Sequence, residues 1–128
     1  MLKPGTKGIF KSVVADANTA IAMKSGCLPV FATPALAAAV EAASVACIAE
    51  ELEPGLTTVG VSLNLKHISA TPVGMEITAE AELLRINGRK LMFKAAAFDG
   101  AGMIGEAEHT RVIVQAERFM EKTNEKRR

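Results

Sequence analysis

Residues 35–49 read Ala-Leu-Ala-Ala-Ala-Val-Glu-Ala-Ala-Ser-Val-Ala-Cys-Ile-Ala. Thirteen of the fifteen are apolar, and a single carboxylate, Glu41, lies near the centre. Thr33-Pro34 just ahead is a helix start, because Thr can cap and Pro suits the first helical position. The helix is expected to run to about Glu53 and to stop at Pro54-Gly55. A helix apolar nearly all round must be covered on most of its sides, and that need decides the fold. Further on, Val59, Val61, Leu63 and Leu65 alternate as in a strand, and the next residue in phase is His67. A carboxylate in such a helix and an imidazole on such a strand face are each costly alone. A helix packed on that face would let them meet as an acid/base pair.

Working outward, Lys7 to Ala17 reads as a first strand, and Asn18 to Leu28 as a less regular connection. Residues 57–69 form the next strand, and Pro72-Val73-Gly74 a turn. Val73, Met75, Ile77, Ala79, Ala81 and Leu83 then share one face opposite Glu76, Thr78, Glu80 and Glu82, the pattern of a half-buried antiparallel strand. Asn87-Gly88 signals a hairpin. Leu91, Phe93, Ala95 and Ala97 continue inward, Asp99-Gly100-Ala101-Gly102 turns, and a last strand covers about 103–116. The segment from Glu117, ending Lys126-Arg127-Arg128, is expected to be a charged, fraying tail.

The order is strand, long apolar helix, then four strands in a meander. The expected fold is therefore α+β, a curved antiparallel sheet of about five strands wrapped around one long central helix in the hot-dog arrangement. One such domain takes up residues 1–128, with 117–128 as its tail. Five strands leave sheet edges and one helix flank bare, so two copies are expected to pair edge to edge, with the active site at or near the interface. Two such dimers could pair again.

Composition narrows the partners. The net charge of +1 over 128 residues favours neither nucleic acid nor an anionic membrane. Five Phe with no Trp or Tyr leave the core to aliphatic side chains. The two cysteines, Cys27 and Cys47, show no metal-binding spacing, and no metal site is expected. Their pattern fits reduced thiols in the cytoplasm. The N-terminal Met1-Leu2-Lys3-Pro4-Gly5 has no apolar core of a signal sequence. The Ala-rich run is too short for a bilayer.

Glu41 shares its helix face with Ala37, Ala38, Ser44, Val45 and Ile48, none of which can neutralise it. Burial there would raise its pKa unless a cation or donors hold it. Such a carboxylate suits base or nucleophile work, against the alternative of an interface contact or a bond to backbone at a strand end. His67 is either its partner or a core histidine satisfied by one hydrogen bond. Thr33 is a cap or a site hydroxyl. On a straight helix it stands about 12 Å along the axis from Glu41. Gly60 inside a strand marks a bulge or the close approach of a ligand. His109 and Arg111 share one side of the last strand with Ala107 and Ile113, where they could reach an anionic part of a substrate or remain solvated.

Phe31-Ala32-Thr33, then Glu41, Gly60 and His67-Ile68-Ser69-Ala70-Thr71-Pro72-Val73-Gly74, followed by Asp99-Gly100, Gly105 and His109-Thr110-Arg111, resemble the fluoroacetyl-CoA thioesterase-like branch of the hot-dog acyl-CoA thioesterases. The resemblance spans about residues 5–117. It implies hydrolysis of a short-chain acyl-CoA thioester to free acid and CoA, with coenzyme A entering as part of the substrate and no separate cofactor. Thr33, Glu41 and His67 would be the catalytic group. Glu41 would attack the carbonyl or activate water, His67 would move the proton, and Thr33 would position water or Glu41. Gly60, Phe31, His109 and Arg111 would contact substrate, Gly60 as a backbone oxyanion donor. Ser25-Gly26-Cys27-Leu28-Pro29 departs from the pattern, since it lacks the aromatic bulk expected of a fluoroacetate specialist. A hot-dog enoyl-CoA hydratase or dehydratase and a non-catalytic acyl-CoA-binding domain are the competing readings. No Asp-x-x-x-x-His pairing favours the former.

Overall fold

A computed structural model describes residues 1–127. Five strands form one antiparallel sheet: β1 (Lys7–Val13), β2 (Leu56–His67), β3 (Glu76–Asn87), β4 (Lys90–Asp99) and β5 (Gly102–Gln115). Their order is β1-β3-β4-β5-β2. β1 and β2 therefore lie at opposite edges, and the helix that joins them, α1 (Thr33–Ile48), crosses the inner face of the sheet. This is the expected hot-dog arrangement.

Alternation sets that inner face. Ile77, Ala79, Ala81 and Leu83 of β3 and Leu91, Phe93, Ala95 and Ala97 of β4 are all buried, as the pattern predicts. They meet Leu36, Ala39, Val40, Ala43, Cys47 and Ile48 of α1. Gly8 lets β1 come close to the helix, because a Cβ there would strike the backbone of Ala43 and Cys47. Cys47 donates to Ala81 O at 3.3 Å, and burial pushes its thiol up to about 11. The opposite flank of α1 is bare, with Ala38, Val45, Ala46 and Ala49 exposed.

Several boundaries differ from the sequence reading. β1 ends at Val13, and Asp16–Asn18 is a short 3-10 turn. α1 ends at Ile48 rather than near Glu53. Glu50, Glu51 and Glu53 would have stood at its negative end, where carboxylates oppose the helix dipole. The chain turns instead, and Leu52 packs back on the core. Val73 is exposed and lies outside β3. The β3–β4 loop is Gly88-Arg89, one residue later than expected, with Asn87 paired to Lys90 and Gly88 at φ 63°.

Residues 116–124 are not a frayed tail but a helix, α2 (Ala116–Asn124). Gln115 caps it by accepting from Arg118 N at 2.7 Å, and Glu117 and Lys122 suit its two ends. Its Phe119 and Met120 are exposed. Arg128, the last residue of the expected tail, lies outside the described residues.

Candidate active site

The first cluster forms around Glu41 on the bare flank of α1. Its side chain is 44% exposed rather than buried, and a cation holds it, with Arg111 Nη1 donating to Oε2 at 3.0 Å. Arg111 is itself fixed from two sides of its fork. Its Nε donates to Thr58 Oγ1 at 2.8 Å and its Nη2 to Thr58 O at 3.0 Å. His109 lies beside the guanidinium, with Nε2 3.2 Å from Arg111 Nη1 and 3.9 Å from Glu41 Oε2. Its Nδ1 meets Ser62 O at 2.8 Å. A carbonyl can only accept, so Nδ1 carries the proton. Burial pushes the His109 pKa down, the Ser62 carbonyl opposes the shift, and Arg111 adds to it.

Gly60 completes this cluster. A Cβ there would lie 2.7 Å from Glu41 Oε2 and 3.3 Å from both Arg111 Nη1 and His109 Cε1. The expected bulge is present as well: Gly60 pairs with Arg111 and Ser62 with Thr110, leaving Val61 as the extra residue. Both readings of Gly60, bulge and close approach, therefore hold at one place. The bulge shifts the parity of β2. Thr58 is buried and Val61 is 55% exposed, against the expected inward Val61, while Leu63, Leu65 and His67 keep their phase.

The second cluster forms at the start of α1. The helix begins one residue earlier than expected, with Ala32 at the cap position and Thr33 as its first residue. The Thr33 hydroxyl makes no cap. It lies 2.8 Å from His67 Nδ1. Phe31 meets the His67 ring edge-on at 6.5 Å. His67 Nε2 is buried without a partner, and burial pushes the His67 pKa down. Around the pair is a cavity of about 270 Å³, lined by Val30, Phe31, Thr33, His67, Ser69 and Ala70. A larger groove of about 570 Å³ lies over the outer side of the sheet, by Lys94, Ala96 and Glu106, and includes none of these residues.

The chain thus brings Thr33 to His67 and brings Glu41 to Gly60, His109 and Arg111. It does not bring Glu41 to His67, whose hydroxyl partner lies eight residues up the helix from Glu41, about 12 Å along the axis.

A family model described as fluoroacetyl-CoA-specific thioesterase (FlK) matches residues 14–117. The chain belongs to this family. It is 37% identical over 97 residues to a fluoroacetyl-CoA thioesterase of Streptantibioticus cattleyicolor, covering 76% of the chain and 70% of that protein. A variant of FlK solved in complex with acetyl-CoA superposes with a TM-score of 0.92 at 30% identity, covering 98% of each chain. A thioesterase-superfamily member of Thermus thermophilus shares the fold, with a TM-score of 0.89 at 22% identity over 98% of this chain and 96% of that one. The expected enzyme class, an acyl-CoA thioesterase of hot-dog fold, is borne out.

Some parts of this FlK-family site escape sequence reasoning. Thr58 clamps Arg111, yet simple alternation places it on the outer face. The bulge signalled by Gly60 was the one cue that could have moved it inward. The Thr-Pro-x-Gly part of the family segment turns out to be scaffold. Thr71 Oγ1 donates to Asp99 Oδ2 at 2.8 Å, Phe31 N donates to Thr71 O at 2.9 Å, and Gly74 sits at φ 97°. Those contacts hold Phe31 beneath His67. The Thr71 hydroxyl, aided by the Ala101 N–H, keeps the Asp99 carboxyl below its ordinary range.

Among the described residues, no group of three His, Cys, Asp or Glu side chains could hold a metal ion. No described helix is long and apolar enough to cross a membrane.

Proposed function

We propose that this thioesterase hydrolyses a short-chain acyl-CoA with Thr33, Glu41 and His67 as its catalytic group, at a site completed by two copies of the chain. The observation that carries the reading is the state of Glu41. Its carboxylate is held by Arg111 from one side, open to solvent on the bare helix flank, and faced by a residue with no side chain. A carboxylate held by a cation and reachable in this way is suited to supply an electron pair to a thioester carbonyl, directly or through a water.

In the reaction, a C–O bond forms at the carbonyl carbon and the C–S bond breaks. The CoA thiolate leaves and takes the proton given up by the attacking water; where Glu41 attacks directly, a water then opens the resulting anhydride and supplies that proton. His67, held neutral by its burial, is suited to relay that proton, and the Thr33 hydroxyl 2.8 Å away orients the water or the carbonyl. The backbone N–H of Gly60 is the proposed donor to the developing oxyanion. Phe31 shapes the acyl pocket. Coenzyme A enters as part of the substrate, and the chemistry calls for no separate cofactor.

Two features support a second copy. β2 is an edge strand with Val61 exposed, and the apolar flank of α1 next to Glu41 is uncovered. A homodimer formed along that edge would cover both. It would also bring Glu41 of the partner subunit toward Thr33 and His67, closing the gap that exists within one chain. The cytoplasm, with CoA thioesters and reduced thiols, fits the free Cys27 and Cys47.

The test is a panel of acyl-CoA esters with detection of released thiol, run on the wild type and on Glu41→Gln. Thiol release from short acyl chains is expected, slowed by about 10²–10⁴-fold in the variant. Loss of the enoyl absorbance of crotonyl-CoA without thiol release would show a hydratase instead. Binding without turnover, unchanged by Glu41→Gln, would show a binding domain.

A further inference from the structure

We propose that His109 is a positioning residue that sets the Glu41 carboxylate through Arg111, by accepting an N–H of the guanidinium at its own unprotonated Nε2. The inference rests on the reading of Glu41 as the reactive carboxylate, and it assigns His109 a role other than contact with substrate.

The hydrogen bonds leave little freedom. Arg111 has five N–H donors in a rigid plane. One goes to Thr58 Oγ1, one to Thr58 O and one to Glu41 Oε2. The second N–H of Nη1 faces His109 Nε2 at 3.2 Å. That bond needs a lone pair on Nε2, and the Nδ1 contact to Ser62 O supplies the matching tautomer. The side chain of His109 is 1% exposed, so water cannot replace it as the acceptor. With four of five donors engaged, the guanidinium has one orientation, and its Nη1 points at Glu41.

The groups that face His109 decide what protonation would do. α1 presents Glu41, β5 presents Arg111, β2 presents the Ser62 carbonyl and the Gly60 backbone, and β4 presents the Phe93 ring at 6.2 Å. A proton on Nε2 would set two N–H groups of two cations against each other at 3.2 Å. The imidazolium would instead be drawn to Glu41 Oε2, now 3.9 Å away, and would displace Arg111 from it. The neutral ring is thus the state in which Arg111 holds the carboxylate. Burial favours that state down to below the ordinary histidine range.

The experiment compares kcat and KM against pH for wild type, His109→Gln and His109→Leu, with nitrogen NMR of the wild-type imidazoles. His109→Gln keeps an acceptor near the Nε2 position but cannot titrate. It is expected to keep kcat within about tenfold and to lose one component of the acid limb. His109→Leu fills the space without an acceptor, and its kcat is expected to fall about ten- to a hundredfold with little change in KM. The NMR spectrum at neutral pH is expected to show a neutral His109 with its proton on Nδ1. A folded His109→Leu with wild-type kcat would overturn the proposal, as would two folded variants that are equally impaired. An imidazolium or an Nε2–H tautomer at neutral pH would overturn it independently of any rate. A fully active Glu41→Gln would sink the underlying reading, and is told apart because the His109 tautomer would still be the expected one.

Discussion

A methyl group at position 60 would have to occupy space already filled by the Glu41 carboxylate, which Arg111 keeps from swinging aside. Gly60→Ala is therefore expected to leave the fold intact and to lower kcat about a hundredfold, the effect of misplacing a reacting group by about an ångström. Wild-type rates in that variant would show that the carboxylate yields without cost. The Thr71–Asp99 bond gives a second test at this scale. The Asp99 pKa is depressed in the fold, so its contribution to stability is complete above the ordinary carboxylate range and fades as pH falls through the lowered value. Asp99→Asn should be less stable at neutral pH and should show a shallower acid decline in thermal melts run from pH 7 to pH 3, below the reference Asp value of about 3.9. A decline as steep as wild type would contradict this. Glu41 and His67 were visible in the sequence because a charge in an apolar pattern stands out by itself. Thr33, Gly60, His109 and Arg111 were legible as site candidates too, but not which of them would meet Glu41 and which His67. A hydroxyl such as Thr58 or Thr71 is ordinary in any strand or loop, and only the fold shows what it touches.

At the scale of elements, alternation found the inner faces of β3 and β4 residue for residue, because those central strands have one buried face and a clear period of two. It failed on β2 at Val61, where a single extra residue exchanges inside and outside. It also missed α2, whose residues are mostly good helix formers but number only nine, too few to hold a helix without the Gln115 cap and the rest of the fold. The long helix was legible from composition, while its last turn depended on where the carboxylates would fall against the dipole. How α1 seats on the sheet depends on Gly8. Gly8→Ala would push the helix off β1, at a cost of about 1–3 kcal/mol from overpacking. A thermal melt would read this as a lowered Tm, and an unchanged Tm would show that the contact between α1 and β1 is loose.

For the whole molecule, the separation between Thr33–His67 and Glu41–Arg111 is the central fact. One chain holds two clusters, Thr33–His67 at the start of α1 and Glu41–Arg111 at its middle, eight residues apart along the helix, and an apolar flank and an open strand edge lie beside them. In the proposed reading, a twofold pairing along β2 turns the two clusters of each chain into two complete sites shared between chains. The hot-dog fold itself was legible in the order of elements, since a single apolar helix among five strands has few other ways to be covered. The distance of Thr33 from Glu41 was legible in the rise of the helix, while the distance of His67 was not, because strand phase tells which face a residue takes and not how far along the helix its partner lies. The most direct measurement mixes two inactive variants, Glu41→Gln and His67→Ala, refolded together from denaturant, and follows thiol release from a short acyl-CoA. Each mixed dimer would hold one intact site built from Glu41 of one chain and His67 of the other, so activity is expected to return on mixing. A mixture that forms mixed dimers and stays as inactive as its parts would contradict the account.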